Sequence, residues 1–544
     1  MKRFSYAFLS LCILASCAAK KEQVDLIVQK ANIYTVDSSF SLAHAMAIKD
    51  GKIVAITTDT TLDQVYDAKE VVDADGKFIY PGFIDAHAHF VGYAVSLLNV
   101  DLVGTKSWDD VIERTKAHAA KSDAPWVVGR GWDQNDWDVK VFPSKERLDS
   151  LFPDRPVLLT RIDGHAAIAN QAALDKAGIK PGQTIAGGVF ETQKGKLTGL
   201  LVDNAVGPVE KVIPNYPEVM YKQALKTAAI NCFAQGLTTV SDCGIMRPEA
   251  ELLLGLEEAG QLDMRLYVML SDSKENYDWA LAKGVVKTSH INIGGYKFYA
   301  DGALGSRGAC LRHDYTDRPG WRGFLLSDSI HFAERAAALI KSNFQMCTHA
   351  IGDSANRDIL RTYAAVLKGK NDRRWRIEHA QVVDSNDFHY FGDNNIVPSV
   401  QPTHATSDMY WAKDRLGAQR IKTAYAYKQL LQQNGWIALG TDFPVEDISA
   451  LKTFYAAVVR KDASGYPATG FEPSNALSRE ETLRGMTIWA AKAQFEEKEK
   501  GSLEYGKWAD FTMLDTDLMK VADSAILKSK VLATFVGGKQ VYKQ

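Results

Sequence analysis

The middle of this chain alternates short apolar runs with longer amphipathic segments, and few architectures satisfy such a pattern. The alternation is typical of β/α units that form a parallel sheet. Eight runs can be counted, at residues 78–84, 238–241, 265–270, 295–299, 345–348, 376–378, 397–400 and 436–439. Eight parallel strands with intervening helices make a TIM barrel. The sequence therefore predicts an α/β fold with a (β/α)8 TIM barrel over residues 78–499.

Both ends of the chain are rich in predicted strands. Residues 24–77 and 500–544 alternate apolar runs with turn signals, among them Asp50-Gly51, which is typical of a β-hairpin. We expect the two ends to build one small β-sandwich domain beside the barrel.

The distance between the first and second predicted barrel strands is too long for one crossover helix. Residues from about 100 to 217 are therefore predicted to form a large insertion that shapes the barrel mouth. Trp126, Trp132 and Trp137 lie in this insertion. They could line an apolar pocket or pack the insertion core, and we favour the core.

The first residues have the composition of an export signal. Lys2 and Arg3 precede an apolar run at 6–15 that is short for a membrane span, and Leu-Ala-Ser-Cys follows at 14–17. This ending resembles the bacterial lipobox, which implies a signal peptide at 1–16, a lipid on Cys17 and a linker at 17–23. We expect an exported, membrane-anchored lipoprotein, in the outer membrane or at the periplasmic face of a Gram-negative cell. An ordinary signal peptide with an incidental cysteine is the alternative.

The charge balance limits the class of partner, and the cysteine spacing limits the expected disulfides. Lys and Arg number 64 against 66 Asp and Glu, a formal net charge of −2, which gives no electrostatic basis for nucleic-acid binding. A small-molecule substrate is the expected partner, and the sequence leaves open whether the protein forms a homo-oligomer. The cysteines beyond the signal show no Cys-x-x-Cys spacing; they are Cys232, Cys243, Cys310 and Cys347. We expect buried free thiols, with a disulfide as the alternative outside the cytoplasm.

Potential metal ligands fall at or just after the ends of the predicted barrel strands. His87 and His89 lie two residues apart at the first strand end, so their imidazoles point the same way. Because all strands of a barrel end at one mouth, residues remote in sequence should meet there. The others are Lys297, His349, His379 and Asp442. Imidazole nitrogen and carboxylate oxygen suit zinc, with manganese or iron as alternatives.

Five motifs carry these residues, at 81–89, 297–307, 349–353, 376–381 and 440–445. In this order they resemble the amidohydrolase superfamily, and specifically the branch, amidohydrolase family 3, that contains N-substituted formamide deformylase. Residues 501–511 are similar to that family's return to its β-domain. The resemblance covers essentially the whole chain after the signal.

The resemblance implies a centre of one or two divalent metal ions, most simply zinc. His87 and His89 would bind the more buried ion together with Asp442, and His349 and His379 would bind the second ion. Some relatives hold one metal only, so the number of ions stays open.

By the same resemblance, Lys297 would be carboxylated and would bridge both ions. Carboxylation needs the neutral amine, and we expect burial near cations to favour that form by lowering the pKa of Lys297. The alternative for this lysine is an ion pair with Asp301.

The predicted chemistry is metal-assisted hydrolysis of a non-peptide C–N bond in a small N-acyl or N-formyl amide. Asp442 would act as general base and then general acid. Cyclic-amide hydrolysis, deamination and ester cleavage use the same activated water, and a non-catalytic binding lipoprotein is a further alternative. The expected substrate contacts, with packing roles as the alternative, are His165, Asp301, Arg307 and His404.

Overall fold

The computed structural model describes residues 21–59 and 61–544, and an eight-stranded parallel barrel lies at its centre. The strands, numbered β1 to β8, are Phe83–Ala88, Leu237–Ile245, Arg265–Ser271, Ile291–Tyr299, Gln345–Ala350, Arg376–His379, Val397–Val400 and Ala438–Leu439. After β8 the backbone returns to β1, where Asp442 N donates to the His87 carbonyl at 2.7 Å. The barrel is thus nearly closed, and the predicted TIM-barrel class is confirmed.

Helices surround this barrel, and some of them begin at a residue whose side chain caps the first turn. The Ser273 hydroxyl accepts from Asn276 N at 3.2 Å, and Ser478 with Glu481 forms a capping box. The surrounding helices include Phe90–Ser96, Glu218–Ala234, Arg247–Glu258, Lys274–Lys283, Ser329–Leu339, Asp353–Leu367, His389–Asp393, Pro402–Asp408, Ala412–Arg420, Tyr427–Asn434, Ala450–Val459, Arg479–Gly485 and Ile488–Ala493.

The first predicted barrel strand is two strands in the structure. Phe78–Pro81 pairs with Phe511–Leu514 in a sheet outside the barrel, and only β1 enters the barrel. Gly82 separates the two, and a β-carbon at this position would lie 2.2 Å from the Thr238 hydroxyl. The barrel therefore begins at residue 83 instead of 78, because a buried strand of either sheet produces the same apolar run.

Strands from both ends of the chain form two sheets beside the barrel. The four-stranded sheet has the order Lys52–Thr57, Ala45–Lys49, Glu22–Gln29, Tyr66–Asp73. The six-stranded sheet has the order Lys539–Lys543, Val531–Val536, Phe511–Leu514, Phe78–Pro81, Asn32–Tyr34, Leu42–Ala43. A shared apolar core that includes Val28, Ile48 and Phe535 joins them. The strand Glu22–Gln29 of the four-stranded sheet starts within residues 17–23, which the sequence predicts to be a linker.

The residues between β1 and β2 form a third sheet over the barrel mouth. Its strand order is Gly188–Gln193, Lys196–Asp203, Ala166–Ala169, Val157–Arg161, Val127–Trp132, Val100–Asp101. Its helices are Trp108–Ala119, Glu146–Leu151, Gln171–Lys176 and Gly207–Glu210. Trp126, Trp132 and Trp137 are buried in apolar clusters of this insertion, so their role is core packing.

The predicted signal peptide at 1–16 and the proposed lipid site Cys17 lie outside the described residues. Within the described part of the chain, no helix has the length and apolar character that a membrane crossing requires. Of the four cysteines there, all are free thiols and three are buried.

A buried ion pair joins the terminal sheets to the barrel. Arg265, at the start of β3, donates from Nε to Asp510 Oδ2 at 2.7 Å and from Nη2 to Oδ1 at 3.0 Å. Asp510 Oδ1 also accepts from Gly537 N at 2.7 Å. Arg265 is 2% exposed and Asp510 5%. Because an unpaired charge at such a depth is costly, this pair helps to fix the small domain against the barrel.

We predict that Asp510→Ala lowers the free energy of unfolding by about 3–5 kcal/mol, since it leaves the Arg265 guanidinium buried and unpaired. Replacing both partners, Arg265→Met with Asp510→Leu, should restore most of the loss. The control is Asp278→Ala, which breaks the exposed pair with Lys274 and should cost less than about 1 kcal/mol. Urea denaturation measures all three, and equal losses for the two single variants would contradict the prediction.

Candidate metal centre

The predicted ligands meet at the barrel mouth, in a cavity of ≈ 990 Å³. His89, Lys297, His349, His379 and Asp442 line this cavity. His87 lies beneath them, is 0% exposed, and places its ring centroid 4.7 Å from that of His379. The convergence of strand ends therefore brings together all six residues.

The Asp442 carboxylate lies at the centre of this group. His89 Nε2 is 3.1 Å and His87 Nε2 is 3.5 Å from Asp442 Oδ1, and His404 Nε2 is 3.2 Å from Oδ2. Asp85 secures this position from below, because its carboxylate accepts from Thr441 N at 3.0 Å and from the Thr441 hydroxyl at 2.7 Å. The segment after β8 is thereby fixed to β1.

Two of the histidines, His87 and His379, are held in orientation by hydrogen bonds of their Nδ1 atoms. His87 Nδ1 lies 2.5 Å from Glu378 Oε2, and His379 Nδ1 donates to Gln401 Oε1 at 2.8 Å. Arg376 pairs with Glu378 at 2.7 Å, which helps to lower the pKa of that carboxyl to about 2 despite its burial. Such partners fix the tautomer and leave Nε2 for a metal.

His404 is oriented in the same way, with Nδ1 3.0 Å from Glu446 Oε1. Its Nε2 reaches the same carboxylate as His87 and His89, so His404 belongs to the cluster of side chains around Asp442. The sequence predicted only a substrate contact for this residue.

Two sets of side chains have ligand atoms within 4.8 Å of one another: His87, His89, Asp442 and His379, His404, Asp442. The first set is the one that the sequence predicts. In the second set His404 stands where His349 was expected. The His349 ring remains close, with its centroid 4.6 Å from that of His379.

One buried atom of the centre, His349 Nε2, has no hydrogen-bond partner among the described residues. Leaving a polar atom buried and unpaired costs free energy, and a bound cation would satisfy it. The donor set of imidazole nitrogens and a carboxylate fits a divalent metal, and zinc in particular.

The ionisation states also suit a cation. Burial lowers the pKa of His349 and of His379 well below the ordinary value, and the charges of neighbouring histidines lower it further. Burial alone would raise the pKa of Asp442, but hydrogen bonds from His404, His87 and His89 hold it well below its usual range. The centre thus offers neutral imidazoles from His349 and His379 beside an ionised carboxylate. His87 and His404 differ, because acidic partners outweigh their burial: the pKa of His87 is raised well above its ordinary value, and hydrogen bonds with Asp442 and Glu446 raise the pKa of His404 to about 10.

Lys297 faces this group from β4. Its Nζ lies 3.1 Å from His87 Nε2 and 4.8 Å from the Tyr299 ring centroid. Burial lowers the pKa of Lys297, as expected. Nearby acidic groups, first of all Tyr299, raise it by more than burial lowers it, so the pKa of Lys297 lies above its ordinary value. The expectation of a lowered pKa is therefore wrong for the metal-free protein.

Asp301 does not pair with Lys297 in the described structure. Its carboxylate accepts three backbone N–H groups, those of Cys310, Ile351 and Gly352, at 2.8–3.0 Å. Arg307 donates to Asp317 at 2.8 Å. Neither Asp301 nor Arg307 lines the cavity, so the structure does not support their predicted contact with substrate.

His165 does reach the cavity, from the insertion. Its Nδ1 lies 2.7 Å from Asp203 Oδ1, and its ring centroid lies 5.1 Å from that of His349. The insertion thus forms one wall of the cavity and the barrel the other.

The backbone is strained at two of the ligands. His379 has φ 71° and Asp442 φ 67°, in the left-handed region that favours glycine. Strain of this kind persists only where the surroundings enforce it, and it is concentrated at functional sites.

Several residues of the site were missed at the sequence level: Arg130, Tyr299, Glu378, Gln401 and Glu446. Some positions carried a usable signal, because Glu378 and Gln401 lie at or next to the ends of β6 and β7. Arg130 lies on an insertion strand and had no such signal.

Comparison with known proteins places these observations in a family. Residues 70–542 match the model described as "Amidohydrolase family". The chain is 34% identical over 540 residues to LONG AFTER FAR-RED 3 of Arabidopsis thaliana, covering 95% of this chain and 91% of that protein. It is 27% identical over 542 residues to N-substituted formamide deformylase of Arthrobacter pascens, covering 96% and 98%.

A crystal structure of an uncharacterized metal-dependent hydrolase from Pyrococcus horikoshii OT3 has a similar fold. The TM-score is 0.76 at 26% identity, and the match covers 92% of this chain and 99% of that one. The similarity therefore extends over the barrel and the domains attached to it.

We predict that Gln401→Ala weakens metal binding by roughly 10- to 100-fold, because His379 loses the hydrogen bond that orients its ring. Competition with a chelator at fixed pH measures the affinity. Gln429→Ala is the matched control, since that amide bonds Asn475 and does not line the cavity. Unchanged affinity in Gln401→Ala would show that the ring is held by other contacts.

Proposed function

Because this chain belongs to the amidohydrolase family, we propose that it hydrolyses the C–N bond of a small, non-peptide N-acyl or N-formyl amide. Membership makes it a metal-dependent hydrolase of the amidohydrolase superfamily with a His/Asp centre. The observation that carries the proposal is the ionised Asp442 carboxylate, which three imidazoles surround at the floor of an open cavity. The printed activity of the formamide relative supports the choice of bond.

When a divalent metal ion, most simply zinc, occupies the centre, it supplies a Lewis acid and lowers the pKa of water. Asp442 accepts a proton as the water oxygen adds to the carbonyl carbon and the carbonyl electron pair moves onto its oxygen. When this electron pair re-forms the C=O bond, the C–N bond breaks and Asp442 delivers the proton to the departing nitrogen. The products are a carboxylic acid and an amine.

The residues around Asp442 prepare it for this role. His404 bonds Oδ2 and holds the carboxylate plane, while the hydrogen bond from Asp442 N to the His87 carbonyl fixes the backbone. His165 and Tyr299 flank His349 on the cavity wall, with ring centroids 5.1 and 5.5 Å away. They limit where the acyl group of a substrate can lie.

We also propose that Lys297 is carboxylated when metal is present. Its Nζ lies against His87, so a cation at the first ligand set would repel the ammonium form and favour the neutral amine. A carbamate on this nitrogen would give the centre two further anionic oxygens. Because a bound metal ion would favour the neutral amine that CO₂ needs, we expect metal and CO₂ to bind together.

We predict that Asp442→Asn lowers turnover of a small N-formyl amine by at least about a thousandfold, since the amide cannot accept the proton. Turnover is followed as free amine, and released ammonia would instead indicate deamination. Asp447→Asn, a cavity residue paired with Lys452, is the control and should retain activity. Wild-type turnover by Asp442→Asn at full metal content would exclude the proposed role.

We predict that Lys297→Ala loses metal and activity, and that added acetate or propionate restores part of both by replacing the carbamate oxygens. Incubation of wild type with ¹³C-bicarbonate and zinc should give a carbamate carbon signal that the variant lacks. Lys452→Ala, which removes another cavity lysine, should change neither. Full metal content in Lys297→Ala without any added acid would contradict a carboxylated ligand.

A further inference from the structure

Two of the four Arg and Lys side chains that line the cavity have no carboxylate partner among the described residues, and Arg130 is the one of them that lies outside the metal centre. Four basic side chains line the cavity: Arg130, Arg161, Lys297 and Lys452. Arg161 pairs with Asp133 and Asp163, Lys452 pairs with Asp447, and Lys297 contacts His87. Among residues 21–59 and 61–544, no carboxylate forms an ion pair with Arg130.

The Arg130 side chain is held in place without being neutralised. Nη2 donates to the Ile162 carbonyl at 2.9 Å, and Nε is buried with no hydrogen-bond partner in the described structure. Gly164 has φ 75°, and a β-carbon there would lie 3.3 Å from both terminal nitrogens. A glycine at this position therefore keeps the space beside the guanidinium free of side-chain atoms.

The electrostatic surroundings favour a ligand at this point. Burial lowers the pKa of Arg130, and the charges that oppose this effect are those of Asp442, Asp163 and Glu210. Asp163 is already paired with Arg161, and Asp442 belongs to the metal centre. An anion that bonds the free donors of Arg130 would compensate a charge that now lacks a direct partner.

We propose that Arg130 anchors a carboxylate of the substrate, so that the enzyme takes amides carrying a carboxylate group, such as N-formyl or N-acyl amino acids. A guanidinium presents parallel N–H donors that match the two oxygens of a carboxylate. The insertion would hold the anionic end while the barrel residues hold the scissile amide. This inference rests on the proposed amide hydrolysis and adds the class of substrate.

The test uses two amides that differ only by the carboxylate, N-formylphenylglycine and N-benzylformamide, with the metal-loaded enzyme. Wild type should show a kcat/KM at least about tenfold higher for the acid. Arg130→Gln should lose roughly 10- to 100-fold on the acid and leave N-benzylformamide nearly unchanged. The kcat/KM of Arg130→Lys for the acid should lie between those of wild type and Arg130→Gln, because lysine keeps the positive charge but lacks the paired N–H donors of a guanidinium.

Arg155→Gln is the matched control, since this arginine also lies in the insertion and bonds backbone carbonyls but does not line the cavity. It should retain the wild-type preference. Equal losses by Arg130→Gln on both amides, or no preference in wild type, would overturn the proposal.

Calorimetric binding of N-formylphenylglycine separates this inference from the proposed reaction. If wild type hydrolyses neither amide but binds the acid at least about tenfold more tightly than Arg130→Gln does, the reaction is wrong and the anchor stands. If the two proteins bind the acid equally, the anchor is wrong whatever the reaction. Metal content and circular dichroism of each variant confirm that the comparison is between folded, loaded proteins.

Discussion

The Asp442 carboxylate, approached by three imidazoles, is the interaction on which the rest of the site depends. Its charge is stable in a buried place because His87, His89 and His404 converge on it. That convergence requires a left-handed backbone at Asp442 and its attachment to β1. A nearly closed parallel barrel meets this requirement, since it brings the last strand beside the first.

The insertion turns this centre into a cavity with two different sides. The barrel contributes the candidate metal ligands, whereas the insertion contributes His165 and Arg130 to the cavity lining. In the proposed reaction the barrel rim would supply the acid–base residue, and the insertion would select the substrate. The buried pair between Arg265 and Asp510 helps to hold the terminal sheets against the barrel from outside the cavity.

The barrel and its six candidate ligands could be predicted from the sequence, because buried strands are apolar and residues at their carboxyl ends meet at one rim. The boundary at residue 82 could not, since two strands of different sheets form one apolar run. The role of His404 was underestimated because this residue lies on the helix that follows β7. The geometry of a strand does not predict where a side chain on the next helix points. The role of Asp301 depends on backbone donors from distant segments, which no local pattern reveals. The pKa of Lys297 depends on Tyr299, two residues away, and on acidic groups of other strands whose approach only the fold determines.

The most direct test of a metal centre built on Asp442 is a crystal structure with anomalous scattering at the zinc edge, paired with elemental analysis. The account predicts one or two equivalents of metal per chain, with an anomalous peak within about 2.0–2.2 Å of ligand atoms of His87, His89 and Asp442. Protein that holds no stoichiometric metal after reconstitution with zinc, manganese or iron, with only water among these side chains, would contradict it.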